Sequence, residues 1–332
     1  MKKRTLGNDL KVSSVGLGCM GFSHAYGAPT KKAEAVNGIR RAYDFGYTFF
    51  DTAEVYGTQE NPHDNEILVG EALADIRNEV QIVSKFGIHF DMTSNQVNKP
   101  LIPDARPETI RKSVEGTLTR LKTDRIDLYF QHRIDPTVEP EVVAEVMQEL
   151  ITEGKILHWG ISEANEEYLR RADKVCKVTA VENRYSMMTR QYEALFPVLE
   201  ELNIGFVAFS PMANGLLTGK YDANSKFDAK LDYRSNMPQF QTDSYEQNRD
   251  LFQLLAHLST EHNATMAQIS LAWMLCKKPW IVPIPGSRKP ARMVENAKAA
   301  EVSLSESEVQ KIDEILNKIP MSEVFGGSKI VK

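Results

Sequence analysis

The sequence predicts an α/β protein: a (β/α)8 TIM barrel of parallel strands with an N-terminal β-hairpin and long loops at the C-terminal face. Three observations point to it. Short β-branched and aromatic runs recur eight times, segments with apolar residues three and four apart lie between them, and the runs are too continuously apolar to have a wet face. Strand and helix alternate, as a parallel sheet buried on both sides requires. The chain has 332 residues, 42% hydrophobic and 26% charged. One barrel with insertions uses about 250 residues or more, so residues 1–332 are expected to form a single barrel domain.

The strands are expected at Val15–Cys19, Thr48–Thr52, Gln81–Lys85, Asp127–His132, Leu157–Ser162, Thr179–Asn183, Phe206–Ser210 and Trp280–Ile284. Among the intervening helices, Ala35, Ile39, Ala42 and Tyr43 form one apolar stripe, and Leu195, Val198, Leu199 and Leu202 another. Gly46, Gly154 and Gly205 stand at helix-to-strand junctions, where a left-handed residue is expected. The alternation breaks once. Ala213–Tyr245 is polar and aperiodic and reads as one long functional loop. Helical patterns over Glu246–Glu261 and Met266–Lys277 follow. Ser305 and Glu308 then form an S-x-x-E capping box ahead of a closing helix, and Pro320–Lys332 reads as a flexible tail.

Composition excludes several classes of function. Forty Lys and Arg against 45 Asp and Glu leave a formal charge of −5 with the signs interspersed, no footprint for nucleic acid or anionic lipid. A small soluble partner, with no nucleic acid and no membrane, fits better. Cys19, Cys176 and Cys276 are odd in number and far apart, so neither a disulfide framework nor a metal site is expected. That usage points to the cytoplasm. The basic first residues lead into Thr5, Gly7, Asn8 and Asp9 rather than an apolar signal segment, and no apolar run is long enough to span a bilayer.

Gly16, Gly18 and Gly21 match G-x-G-x-x-G, the dinucleotide fingerprint. That motif works only if the third glycine opens a helix aimed at the pyrophosphate. Here helical periodicity resumes only after Thr30, so these glycines are expected to make a tight strand-to-loop turn.

Polar residues at the C-terminal ends of the strands are the place to look for chemistry. The second strand ends in Asp51 with Tyr56 close behind, the third in Lys85 and the fourth in His132. Singly, each has a structural explanation: a cap, an interface aromatic, a snorkelling lysine, a core histidine. Jointly they make a proton donor with its tuners. A phenol titrates near pH ~10; the Lys85 ammonium would draw Tyr56 toward useful acidity, Asp51 would hold that lysine, and His132 would orient a carbonyl. Downstream, Gly286, Ser287, Arg288 and Lys289 precede Pro290 at the first turn of a helix. A helix N-terminus with cations is a natural anion site.

With these residues in view, the sequence resembles the aldo-keto reductases, NADP(H)-dependent (β/α)8 barrels. The resemblance runs from Gly16-Leu-Gly-Cys-Met-Gly21 through Phe50-Asp-Thr-Ala-Glu-Val-Tyr-Gly57, Ser84-Lys85, Gln131-His-Arg133, Gly160-Ile-Ser-Glu163 and Phe209-Ser-Pro211 to Pro285-Gly-Ser-Arg-Lys289. It implies a catalytic tetrad of Asp51, Tyr56, Lys85 and His132, with Tyr56 as general acid while hydride passes from C4 of NADPH to a carbonyl carbon. It also implies that Ser287, Arg288 and Arg292 take the 2′-phosphate and that Glu295 and Asn296 lie near the adenine. Ser162 and Glu182 would meet the carboxamide and Phe209 the nicotinamide. Ser210, Met212 and Asn214 would contact the pyrophosphate, with Met20, Pro211 and Gly286 completing the cofactor-binding set and no metal required. Substrate-pocket walls are expected from Phe22, Tyr26, Phe86, His89 and Arg133, with Met20 beside them. Four positions depart from the family pattern: Phe209 for Tyr, Glu163 for Asn, Glu182 for Gln and Arg184 for Glu. Glu182 would add negative charge beside the nicotinamide unless Arg184, on the same strand face, pairs with it or burial protonates it. An NADP-binding sensor subunit on the same barrel is the alternative function. A glycosidase would need two flanking carboxylates at strand ends, for which only Asp51 and Glu182 qualify.

Overall fold

The computed structural model describes residues 1–58, 60–96 and 99–330. An N-terminal hairpin of β1 (Lys3–Leu6) and β2 (Leu10–Ser13) precedes the barrel strands β3 (Leu17–Gly18), β4 (Phe49–Asp51) and β5 (Gln81–Phe86). A second, unforeseen hairpin follows, β6 (Ile88–Phe90) with β7 (Leu101–Pro103). The barrel continues with β8 (Ile126–Gln131), β9 (Ile156–Ser162), β10 (Ala180–Arg184), β11 (Gly205–Phe209) and β12 (Ile281–Pro283). Every pairing among the eight barrel strands is parallel, in the order β12-β11-β10-β9-β8-β5-β4-β3. All eight lie where the sequence predicts strands.

Helices α1 (Lys32–Asp44), α2 (Asp64–Leu73), α3 (Pro107–Leu121), α4 (Pro140–Thr152), α5 (Glu166–Val175) and α6 (Phe196–Leu202) supply the crossovers. They are followed by α7 (Thr242–Gln247), α8 (Arg249–Glu261), α9 (Met266–Lys277), α10 (Pro290–Lys298) and α11 (Glu306–Leu316). The capping box at Ser305 forms as expected.

The barrel closes between β3 and β12: Gly16 N–H donates to Pro283 O at 2.9 Å, and Gly18 bridges Gly286 in parallel. A Cβ on Gly18 would lie 2.8 Å from Ile284 O, and one on Gly16 2.6 Å from Phe49 Cδ1. Gly16 and Gly18 are therefore the small residues of a seam rather than a turn, which corrects the expectation. Gly21 lies in a 3-10 turn, Met20–Phe22. Gly46 and Gly154 do take left-handed φ angles of 90° and 74°, but after α6 that role falls to Asn203 at 55°. Gly205 is glycine for another reason: a Cβ there would press 2.5 Å from Leu6 of the hairpin.

The hairpin plugs the barrel floor. Leu6, Leu10 and Val12 join Phe49, Val83, Leu128, Phe130, Ala180, Val207 and Val282 in one inner cluster, while a larger cluster fills the layer between strands and helices. Burying a large aliphatic or aromatic side chain contributes about 1.5–3 kcal/mol, so this floor is a rigid base for whatever stands above it.

The predicted long loop carries short helical turns at Ala213–Thr218, Tyr233–Asn236 and Pro238–Phe240 and then α7. It is stitched to the β3–α1 loop through Gly27 N–H to Leu231 O (3.0 Å) and Tyr233 N–H to Ala25 O (2.9 Å). Nor does the tail dangle through Ile330. Ser322 pairs with Asn248, Phe325 N–H donates to Gln239 Oε1 at 2.9 Å, and Leu101 N–H donates to Lys329 O at 2.7 Å. Polar side chains on neighbouring elements, invisible to a local reading, fix it. Residues 331 and 332 lie outside the described set.

Candidate active site

Side chains alternate along a strand, so a residue two places beyond an inward core residue stands on the same face, one layer nearer the C-terminal rim. Asp51 follows Phe49 in this way, Lys85 follows Val83, His132 follows Phe130, Glu182 follows Ala180 and Phe209 follows Val207. Barrel packing thus delivers one ring of functional groups above an apolar plug.

Lys85 is fully buried at the centre of that ring. Its ammonium donates to Asp51 Oδ1 at 2.8 Å, Asp51 Oδ2 at 2.6 Å and Thr52 O at 2.9 Å. Glu182 Oε1 lies 3.3 Å away. Burial works to lower the Lys85 pKa, but Asp51 and then Glu182 outweigh it and hold the amine charged. Burial pushes Asp51 up against the opposing pull of Lys85. The Tyr56 ring lies 5.0 Å from Lys85 Nζ, and its hydroxyl 3.5 Å from His132 Nε2. Lys85 does act to lower the Tyr56 pKa, yet burial dominates and pushes it up to about 12. The pull of Lys85 expected from the sequence is thus present, with burial acting against it. Burial, then Arg133 and Lys85, hold His132 well below the ordinary histidine range, so the ring is neutral. Its Nδ1 is buried without a partner.

Asp51, Tyr56 and His132 open into a cleft of about 390 Å3. All fourteen residues that the resemblance assigns to the cofactor line it, from Met20, Ser162, Glu182 and Phe209 through Ser210, Pro211, Met212 and Asn214 to Gly286, Ser287, Arg288, Arg292, Glu295 and Asn296. Past β11 the backbone turns left-handed at Ser210 (φ 49°), Ala213 (46°), Asn214 (60°) and Gly215 (101°). Three of these are not glycine, a strain of the sort stored at ligand sites.

The cleft mouth is a cluster of like charges. Lys220 has its pKa lowered chiefly by Lys289, with burial and Arg292 contributing. Lys220 signals itself by no local pattern and was not foreseen. The α10 N-terminus has no side-chain cap; Pro290 has no N–H and Arg292 N–H donates to Lys289 O at 2.9 Å, so in its first turn only the Ala291 N–H is left to add to the cations toward an anion. Arg288 donates to Tyr26 O at 2.7 Å and Ala28 O at 2.9 Å, and Arg292 pairs with Glu295.

Of the expected pocket walls, Tyr26 and Arg133 line the cleft. Phe22 and Phe86, 1% and 0% exposed, pack into the outer core instead. Phe86 follows Lys85 directly and so points to the opposite strand face. His89 is exposed and faces a neighbouring cavity. Among the wall residues missed are His24, Phe90, Tyr233 and Arg234. The His24 ring stacks 6.2 Å from Tyr56 and meets Tyr233 edge-on at 5.3 Å. Nor does Arg184 pair with Glu182. Its backbone N–H donates to Glu163 Oε1 at 3.1 Å and its guanidinium lies over Phe209, 5.3 Å from the ring centre. Among the described residues no three His, Cys, Asp or Glu side chains gather to hold a metal, and no helix is long and apolar enough to cross a membrane.

A buried phenol beside a fixed ammonium, below a strained and cationic rim, fits the class of barrel oxidoreductases that work with a dinucleotide. Comparison with known proteins narrows the class to a family. Residues 14–317 match the sequence model of the aldo/keto reductase family. The chain is 36% identical over 324 residues to probable aldo-keto reductase 1 of Glycine max, covering 96% of this chain and 88% of that one. Its fold is similar to that of a glycerol dehydrogenase of Gluconobacter oxydans (TM-score 0.84, 28% identity, 98% of each chain covered). It is also similar to an aldo-keto reductase of Bacillus halodurans in its holo form (TM-score 0.76, 26% identity, 98% of each chain). The chain belongs to the aldo/keto reductase family and is an NADP(H)-dependent oxidoreductase, as its motifs implied.

Proposed function

We propose that the chain reduces aldehydes or ketones reversibly to alcohols, with Tyr56 as general acid. The observation that carries this reading is the meeting of the Tyr56 hydroxyl and His132 Nε2, 3.5 Å apart, at the floor of the cleft beside the buried Lys85–Asp51 pair. NADPH, when bound, supplies the hydride. Ser287, Arg288 and Arg292 would hold its 2′-phosphate, and the repulsion among Lys220, Lys289 and Arg292 is a reason for the mouth to take up an anion. Ser162 and Glu182 are the candidates for the carboxamide, and Phe209 for the nicotinamide face.

In the reductive direction the Tyr56 O–H bond breaks and its proton goes to the carbonyl oxygen. The electron pair stays on the phenolate, which the Lys85 ammonium steadies. Asp51 spends both carboxylate oxygens on Lys85, so the charge is in place before substrate arrives. Neutral His132 offers a hydrogen bond to the same carbonyl oxygen without competing for the proton.

Residues 1–332 would act as one catalytic unit on a small molecule. Three unpaired thiols, Cys19 and Cys176 among them buried, fit the cytoplasm. The test is a panel of aldehydes and ketones followed by NADPH absorbance, with the matching alcohols and NADP+ in reverse. Cofactor binding without turnover on any carbonyl would overturn the reductase reading in favour of a sensor.

A further inference from the structure

An ammonium has three N–H bonds, and Lys85 spends all three on Asp51 Oδ1, Asp51 Oδ2 and Thr52 O. Glu182 is the fourth oxygen ligand of a three-proton donor. Its Oε1 is left with a longer contact to Lys85 at 3.3 Å, its Oε2 is buried with no hydrogen-bond partner among the described residues, and the residue is 2% exposed. An ionised carboxylate in that position would bury one oxygen without a bond and hold the other by a single long contact, at a cost that protonation removes.

We propose that Asp51 and Glu182 form a two-carboxyl set around Lys85 that holds one proton, carried by Glu182 and released to water in the cleft when the oxidised cofactor binds. The charged groups facing Glu182 are Asp51 from β4, Lys85 from β5, Tyr56 from the loop after β4 and Arg133 from the loop after β8. Arg133 is committed to His132 O at 2.6 Å and Ser162 Oγ at 3.2 Å, and Arg184 turns to Glu163 and Phe209. Asp51 has both oxygens bonded to Lys85, whereas Glu182 keeps one buried oxygen without a partner among the described residues, which assigns the proton to Glu182. The electrostatics agree. Burial first, then repulsion from Asp51, push Glu182 up to about 8.

The inference rests on the reading of the cleft as the NADP(H) site. A nicotinamide is cationic only when oxidised, so it stabilises the carboxylate form of Glu182, whereas the reduced ring does not. The O–H bond of Glu182 breaks, the electron pair stays on oxygen, and the proton leaves through the cleft that Glu182 lines. Affinity for the oxidised cofactor then rises as pH passes upward through the titration of this group, and affinity for the reduced one stays flat.

The experiment is calorimetric titration of the intact protein with NADP+ and with NADPH near pH 7, each in two buffers of different ionisation enthalpy. Heat differences count protons, and the 2′-phosphate contributes equally to both ligands. We expect NADP+ to release up to about one proton more than NADPH. From pH 7 to 9 the NADP+ Kd should tighten about threefold to tenfold relative to that for NADPH. Glu182→Gln should abolish both differences. Equal proton counts for the two ligands in the native protein overturn the inference and leave the cofactor reading standing. Failure of either ligand to bind overturns both.

Discussion

The floor of the cleft and its mouth are both rich in charge, and they handle it in opposite ways. At the floor, Lys85 and Asp51 lie 2.6 Å apart with every ammonium proton used. At the mouth, Lys220 is crowded by Lys289 and, less strongly, by Arg292. A completed pair buried on an apolar plug is preorganised and gains nothing from a ligand. A rim with cations in excess, where of these three only Arg292 has an acid beside it among the described residues, gains from an anion. Removing a floor charge should therefore damage the protein itself, and removing a mouth charge should damage only what it binds.

The strongest test of that contrast is Lys85→Met. It leaves Asp51 buried without its ammonium, and breaking a buried pair from one side costs about 3–5 kcal/mol. The loss should appear in chemical unfolding at neutral pH and shrink as the pH falls and Asp51 takes up a proton. An unchanged unfolding midpoint would mean that the floor is not the self-contained unit described above.

Tyr56→Phe separates chemistry from fold. The ring and its place beside Lys85 stay, only the proton is lost, and general acid help contributes about a hundredfold or more. Reduction should fall by at least that factor while NADPH still binds. Near-normal turnover on a substrate whose chemical step limits the rate would assign the proton to another group.

At the mouth, Arg288→Ala and Arg292→Ala should each weaken NADPH about tenfold and leave NADH nearly untouched. Charge-assisted hydrogen bonds contribute about 1.5–3 kcal/mol each. Both guanidiniums already have partners to give up, the carbonyls of Tyr26 and Ala28 for Arg288 and Glu295 for Arg292, which holds the effect toward the lower bound. Equal losses for the two cofactors in binding assays would indicate damage to the rim itself.

The floor was legible in the sequence and much of the wall was not. Strand period explains both. Asp51, Lys85, His132, Glu182 and Phe209 each stand an even step beyond an inward apolar residue, so recognising the strands was enough to stack them in one ring. The same rule, applied strictly, would have excluded Phe86, an odd step from Lys85, and His89, an odd step from the buried Ile88. His24, Lys220, Tyr233 and Arg234 come from loops and short turns. Their positions are set by contacts such as that between Tyr233 N–H and Ala25 O, which join segments some two hundred residues apart and leave no local signature. The Tyr56 environment was legible only in part. Proximity to Lys85 could be read from the sequence, but the opposing effect of burial depends on how tightly loops close over the ring.

The smallest expected effect discriminates most finely between floor and mouth. Lys220 is exposed, and its pKa is lowered by neighbouring cations rather than raised by an acid. Lys220→Ala therefore removes a repulsion and breaks no ion pair among the described residues, so the unfolding midpoint should hold or rise slightly. Binding should move the other way. One fewer cation at the rim weakens NADPH by about threefold at low salt, and because exposed charges are screened over about 10 Å at 0.1 M salt, the deficit should fade as salt is added. NADPH titrations of native and variant protein across a salt series read both quantities. A variant that loses stability together with affinity would place Lys220 in a structural pair, and one whose deficit persists at high salt would show that it acts by shaping the rim rather than by its charge.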